Sequence, residues 1–313
     1  MDSIALGLIV GLVLLVVGAE GLVRGASALA LRLGLTPLVV GLTVVAFGTS
    51  TPELVVSLEA ALAGKGAIAA GNVVGSNIAN IGLILGFVAL LRPMSVQAQL
   101  VRLDLPLLVG VSILMPALLW GGLLRWEAAI LATLLLVYVA VAVRLARRDA
   151  KASVAMAADA VPRKPTSLPL QLLFIAGGLG LLIYGADLFV DAAVRAAREA
   201  GVSERVVGLT LVAVGTSLPE LATSLIAAFR GESDLAVGNV VGSNLFNALG
   251  ILGVAGLARP LADSGLAPLD LGMMLLFAVL LLPLAKSGLV ISRKEGLLFL
   301  AIYGGYMVLL ARG

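Results

Sequence analysis

Two short polar phrases interrupt the apolar run of this 313-residue chain, and each occurs twice. Gly48 to Glu53 reads Gly-Thr-Ser-Thr-Pro-Glu, and Gly215 to Glu220 reads Gly-Thr-Ser-Leu-Pro-Glu. Gly71 to Asn77 and Gly238 to Asn244 both read Gly-Asn-Val-Val-Gly-Ser-Asn, with Asn80 and Asn247 just beyond. Carboxylates, hydroxyls and amides inside long apolar segments are costly, and they mark an ion or substrate path.

The donor set suits a hard cation. Ca2+ takes six to eight oxygens from carboxylates, carbonyls and amides in a flexible cage, whereas Mg2+ demands a tight octahedron and keeps its water. Glu53 and Glu220 together balance one divalent ion or two monovalent ions, leaving no net charge in a low dielectric. Ser76 and Asn80 are four residues apart on one helical face, as are Ser243 and Asn247, so each pair presents a hydroxyl beside an amide. Pro52 has no amide hydrogen and its ring clashes with the Gly48 carbonyl, which predicts a kink over Gly48 to Pro52. Carbonyls freed around Ala46 to Thr49 then point inward, where something must coordinate them. Gly215, Pro219 and Glu220 repeat the arrangement, so both Glu side chains are expected to converge near mid-membrane.

The elements that position these groups come from a duplication. Adding 167 to the numbers of Gly41 to Gly86 gives Gly208 to Gly253, and 28 of the 46 aligned residues are identical without a gap. The offset also aligns Gly18-Ala19-Glu20 with Gly185-Ala186-Asp187, Gly34 with Gly201, and Arg92-Pro93 with Arg259-Pro260. Hydrophobic residues make up 61% of the chain and charged ones 12%, with mean hydropathy +1.14. A soluble fold has nowhere to put so much apolar sequence, so the expected class is an all-α integral membrane protein. Apolar runs predict ten transmembrane helices, at 3–23, 37–63, 67–91, 103–120, 125–143, 169–190, 205–229, 234–257, 267–286 and 293–311. Five lie in a first repeat (1–143) and five in a second (169–313), joined by a polar linker at 144–168. An odd number of spans separates each residue from its counterpart, which predicts two inverted five-helix repeats with a site between them. Met1 to Val17 carries Asp2 and no basic n-region, so it reads as the first membrane helix rather than a signal peptide.

Basic residues orient the chain. With the linker cytoplasmic, 14 of the 21 Lys and Arg fall on inner loops and helix ends and 7 on the outer side. That balance predicts a multi-pass plasma (inner) membrane protein with both termini outside. Cys and His are absent, which excludes thiolate chemistry and removes the usual proton shuttle and the commonest transition-metal ligand. The net charge of +3 comes from loop residues, so no nucleic-acid partner is expected, and no cofactor either. Oligomeric state is left open.

Several polar positions admit plainer roles. Gly71 with Gly75 and Gly238 with Gly242 suit close helix contact. Asn72 and Asn239, four residues before Ser76 and Ser243, are either ligands or helix-bonding amides. Glu20 and Asp187 sit near helix ends, where interfacial water solvates them. Glu59 faces Ile226 in the alignment and reads as a rim residue.

The doubled phrases resemble the two alpha-repeats of the sodium/calcium exchanger family, within the cation/calcium exchanger superfamily. The resemblance covers the whole chain and implies a prokaryotic member. It implies one central cluster that Ca2+ and Na+ occupy alternately, with the first helices of the two halves sliding against the rest. Carried over by position, Glu53 and Glu220 are the shared carboxylates, and Thr49 and Thr216 give backbone carbonyls to Ca2+. Ser50, Ser76, Ser217 and Ser243 line Na+ positions with the carbonyls of Ala46 and Ala213, and Asn80 and Asn247 complete the centre. Some relatives have Asp at the position of Asn247, so an acid is missing here. Gly75 and Gly242 stand where the proton-coupled branch carries an acid, which counts against H+/Ca2+ exchange. The short linker holds no calcium-sensing domain of the animal type. The expected function is a secondary-active Na+/Ca2+ antiporter working by alternating access, with Ca2+ and Na+ as transported substrates and no enzyme activity. A K+-dependent or proton-coupled cation exchanger is the alternative. A passive channel needs a continuous polar pore, whereas the polar residues here cluster at mid-depth.

Overall fold

In lipid, a long apolar segment satisfies its backbone only as a helix or a closed barrel, and this sequence makes helices. The computed structural model describes residues 2–156, 167–200, 215–262 and 265–312. Seven helices among them are long and apolar enough to cross a bilayer. They belong to α1 (Asp2–Leu33), α4 (Gly66–Leu91), α5 (Leu100–Trp120), α6 (Arg125–Met156), α7 (Leu168–Glu199), α9 (Ser233–Ala258) and α10 (Pro268–Lys286). A further pair, α2 (Pro37–Thr49) and α3 (Thr51–Leu62), forms one span bent by 49°. The shorter α8 (Leu218–Phe229) and the terminal α11 (Arg293–Arg312) complete the set. The first part of the expected seventh span, 205–214, and linker residues 157–166 lie outside the described residues.

The described part of each expected span is helical, but three helices run past the expected bounds. The spans expected at 3–23, 125–143 and 169–190 continue as helix: α1 runs on to Leu33, α6 to Met156, which takes in the first half of the expected linker, and α7 to Glu199. Charge does not stop α1, because Arg24 pairs with Glu20 one turn earlier. At about 1.5 Å per residue, 32-residue helices are longer than the roughly 30 Å hydrocarbon layer.

Glycine decides how α1 and α7 meet. A Cβ on Gly18 would lie 2.7 Å from the Gly178 carbonyl oxygen, and one on Gly11 would lie 2.9 Å from that of Gly185. Contacts further along pair Gly7 with Ala192 and Gly25 with Gln171, so the helices are antiparallel. The repeat offset turns Gly11 into Gly178 and Gly18 into Gly185, so the two glycine contacts exchange under it. The loops behave likewise. On the linker face β1 (Met94–Ser95) pairs antiparallel with β2 (Val290–Ile291), and at the other end Leu123 bridges Leu261. Met94 plus 167 is Leu261, and Val290 minus 167 is Leu123.

The centre is held by small-residue crossings. Gly41 and Gly238 let α2 cross α9 so closely that a Cβ on Gly238 would sit 2.7 Å from the Leu38 carbonyl oxygen. Gly242 is as tight against Leu42 and Ala46. For Gly71 and Gly75, the corresponding partner segment lies outside the described residues. Away from the centre, Tyr138 donates to fully buried Asp104 at 2.9 Å, and Tyr306 donates to Asp270 at 2.8 Å.

A candidate cation site between the two repeats

The site begins at two serines that each precede a helix starting X-Pro-Glu. Between α2 and α3, Ser50 leaves helical geometry (φ −83°, ψ 10°), and Ser217, before α8, has nearly the same angles (φ −90°, ψ 7°). Pro52 and Pro219 follow two residues later, and the expected kink is present at the first position, where α2 and α3 meet at 49°; the segment before Gly215 lies outside the described residues. One detail differs from expectation. The Ala46 carbonyl is not freed by the break, since it accepts the Ser50 N–H at 3.0 Å and the Thr49 hydroxyl at 3.4 Å. Ala213 lies outside the described residues.

Each serine bonds a carboxylate of the opposite half. The Ser50 hydroxyl donates to Glu220 Oε1 at 2.8 Å, and the Ser217 hydroxyl donates to Glu53 Oε1 at 3.2 Å. Ser243 adds a second donor to Glu220 Oε1 at 3.4 Å. Both glutamates are buried, and the second oxygen of each, Oε2, has no hydrogen-bond partner among the described residues. Asn80 Oδ1 and Asn247 Oδ1 are also buried and have no partner among the described residues. Four anionic or strongly dipolar oxygens are thus left unpaired in the interior, a costly arrangement for any purpose except holding a cation.

Wide helical turns set these amides. The π-helical turn Asn80–Leu85 continues α4 past Ser76, and Phe246–Ile251 widens α9 around Asn247. Such turns leave backbone bonding less regular and cluster at functional sites. Ser76, Asn80, Ser243 and Asn247 are all buried. Thr49 is buried too, and its hydroxyl donates to Asn239 Oδ1 at 3.1 Å. Thr216 is half-buried.

Asn72 and Asn239, read as ligands or helix-bonding amides, both make helix-bonding contacts. Asn72 Nδ2 donates to the Glu53 carbonyl at 3.1 Å and to Ser57 Oγ at 2.9 Å. Asn239 Nδ2 makes the same two contacts, to the Glu220 carbonyl at 3.4 Å and Ser224 Oγ at 3.0 Å. Both amides hold the backbone behind a glutamate, so they position it. Sequence reasoning missed Ser57 and Ser224, although each stands one helical turn after its Glu in both copies. It also passed over Asn77 and Asn244. Asn77 Nδ2 donates to the Asn244 carbonyl at 3.2 Å, and Asn244 Oδ1 accepts from Asn80 Nδ2 at 3.3 Å, which turns the Asn80 oxygen away from that contact. Their signal was the Asn following Ser76 and Ser243, one position off the face that was followed.

One side of the site is bordered by a cavity. A cavity of about 540 Å3 lies between α3 and α7, bordered by Thr51, Pro52, Asp187, Asp191 and Thr216. Chain direction puts it in the half away from the linker. In the linker half the equivalent position is closed, because α1 packs on α8. There Glu20 Oε1 takes both Arg24 and Arg230 at 2.6 Å. Interfacial solvation was the expectation for Glu20, and it serves instead as a tie between two helices. Glu59 is exposed.

The chain matches the family described as sodium/calcium exchanger protein over residues 3–144 and again over 170–312. It belongs to the sodium/calcium exchanger family. Relatives cover its whole length. The sodium/calcium exchanger MaX1 of Methanosarcina acetivorans is 32% identical over 97% of each chain. The inner membrane protein YrbG of Escherichia coli (strain K12) is 38% identical over 87% of this chain and 86% of its own. The solved structure of the sodium-calcium exchanger NCX_Mj, soaked with Na+ and Sr2+, superposes with a TM-score of 0.83 at 32% identity over 96% of each chain. This is therefore a multi-pass membrane transporter of a family whose substrates are Ca2+ and Na+, and not an enzyme.

Proposed function

We propose that the chain is a secondary-active Na+/Ca2+ antiporter in which both ions use one site at the crossing of two inverted five-helix repeats. The observation that carries this reading is the reciprocal tie of Ser50 to Glu220 and Ser217 to Glu53, with the other oxygen of each glutamate buried and without a partner among the described residues. Two carboxylates neutralise one Ca2+, and the same two admit Na+ once Ca2+ has left. Thr49, Thr216, Ser50, Ser217, Ser76, Ser243, Asn80, Asn247 and the carbonyls of Ala46 and Ala213 supply the remaining oxygens in this proposal. The Ala46 carbonyl already accepts two hydrogen bonds, so it would have to exchange one of them for an ion.

Ten transmembrane helices in two inverted halves are supported by the exchange of contacts under the 167-residue offset at opposite ends of the molecule. Alternating access is supported by the cavity on one side of the site and by the Glu20 tie opposite it. The linker is cytoplasmic and the termini are outside in this reading, which rests on the distribution of Lys and Arg. The test is Ca2+ uptake into proteoliposomes with and without an opposing Na+ gradient. Uptake that requires the Na+ gradient supports the proposal. Uptake driven instead by K+ or by a pH gradient assigns the chain to the K+-dependent or proton-coupled exchangers.

A further inference from the structure

We propose that the crevice between α5 and α10 on the linker face binds an anionic phospholipid, with its phosphodiester between Arg102 and Lys286. The crevice has a volume of about 550 Å3 and is walled by Val101, Pro106, Leu282 and Leu289. Ordered water takes roughly 30 Å3 per molecule and needs two to four polar partners. Apolar walls supply none, so an acyl chain suits the crevice and water does not. Arg102 and Lys286 approach it from different helices, and neither forms an ion pair among the described residues. Arg102 lies in the π-helical turn Leu100–Asp104, and Lys286 is the last residue of α10. Two unpaired cations over an apolar slot match a phosphodiester carrying fatty chains.

The duplication supplies an internal control. Position 102 corresponds to Leu269 and position 286 to Leu119, so the equivalent positions in the other repeat are apolar. The architecture therefore accepts leucine at both places, and the charges are an addition on the linker face. Lone cations at helix ends reach for the interface without a specific ligand, but these two border one crevice. The crevice is formed by helices that carry none of the proposed cation ligands.

The test uses the purified full-length protein, titrated with phosphatidylglycerol or phosphatidylcholine and read by native mass spectrometry. Wild type is expected to retain one phosphatidylglycerol with at least a tenfold preference over phosphatidylcholine. In the double variant Arg102→Gln with Lys286→Gln that preference should vanish, while Ca2+ exchange shows that the protein is folded. Arg293→Gln with Lys294→Gln, which removes two cations that do not line the crevice, should keep the preference. Three results would overturn the proposal. They are equal binding of the two lipids by wild type, equal loss in both double variants (a diffuse surface charge), and displacement of the lipid by soluble glycerol phosphate at matched concentration (a free-anion site).

Discussion

Glu20 ties α1 to the end of α8 through Arg230, and the repeat provides no such tie on the opposite face. There Asp187 takes the place of Glu20, and Ala63 that of Arg230. Changing Arg230 to Gln should therefore loosen only the linker side. The N–O distance is 2.6 Å, but the two side chains are 36% and 33% exposed. Solvent screens such a pair, which places its contribution at ~0.2–1 kcal/mol. Glu20 also keeps Arg24 at 2.6 Å, so the carboxylate is not abandoned. A bias of that size multiplies the linker-open population by about 1.4 to 5. The absence of Cys makes the assay clean, because a single introduced thiol has no background. Ala228, at the linker end of α8, is fully buried, so a thiol there is reached only when that end opens. An Ala228→Cys reporter, probed from the linker side with a membrane-impermeant maleimide, should label about 1.4- to 5-fold faster when Arg230→Gln is added. High choline chloride should raise the rate in the parent and leave the variant unchanged, since salt screens the pair. Equal or slower labelling in the variant would refute the tie.

Two further substitutions probe the helix crossing and the support of the site. Gly178→Ala places a Cβ 2.6 Å from the Leu22 amide nitrogen, a backbone contact that cannot rotate away, so it should cost about 1–3 kcal/mol and lower the melting temperature. Gly180→Ala, where no described atom lies within 4 Å, should match or exceed wild type in the same thermal melt. Asn239→Ala removes the donor to the Glu220 carbonyl and to Ser224, a loss of about 1–3 kcal/mol at the site. Because Asn239 positions a shared carboxylate, the concentrations of Na+ and Ca2+ needed for half-maximal exchange should rise together, and a rise for one ion alone would make Asn239 a ligand.

The polar residues were legible in the sequence because a membrane chain advertises them. Glu53 and Glu220 have no apolar excuse, and the second copy told each one's partner. The kink at Pro52 was legible too, since proline chemistry is local and Pro52 and Pro219 sit one residue before the carboxylates. What stayed hidden was relational. Ser57 looks like any serine on an apolar helix until the fold brings Asn72 against it. Asn77 lies one position off the face shared by Ser76 and Asn80, and only the fold shows that it reaches the Asn244 carbonyl. The lengths of α1, α6 and α7 were hidden too, because Arg24, Arg144 and Asp191 look like span ends, whereas Arg24 pairs with Glu20 within its helix. Nor does anything in the phrase around Ala46 reveal that its carbonyl would be taken by Ser50 and Thr49.

The central claim is that Glu53 and Glu220 play equivalent parts around one ion. Each is buried, and each accepts a hydroxyl from the other half. Changing either to Gln keeps its size and one acceptor oxygen but removes a charge, leaving a divalent ion uncompensated in the interior at a cost of several kcal/mol. The measurement is Na+-driven Ca2+ flux for Glu53→Gln, Glu220→Gln and Glu59→Gln at matched reconstitution. Loss of exchange in the first two, with most activity kept in the third, is the predicted result. Robust exchange by either of the first two, or loss confined to the exposed Glu59, would contradict a shared site at the crossing of the two halves.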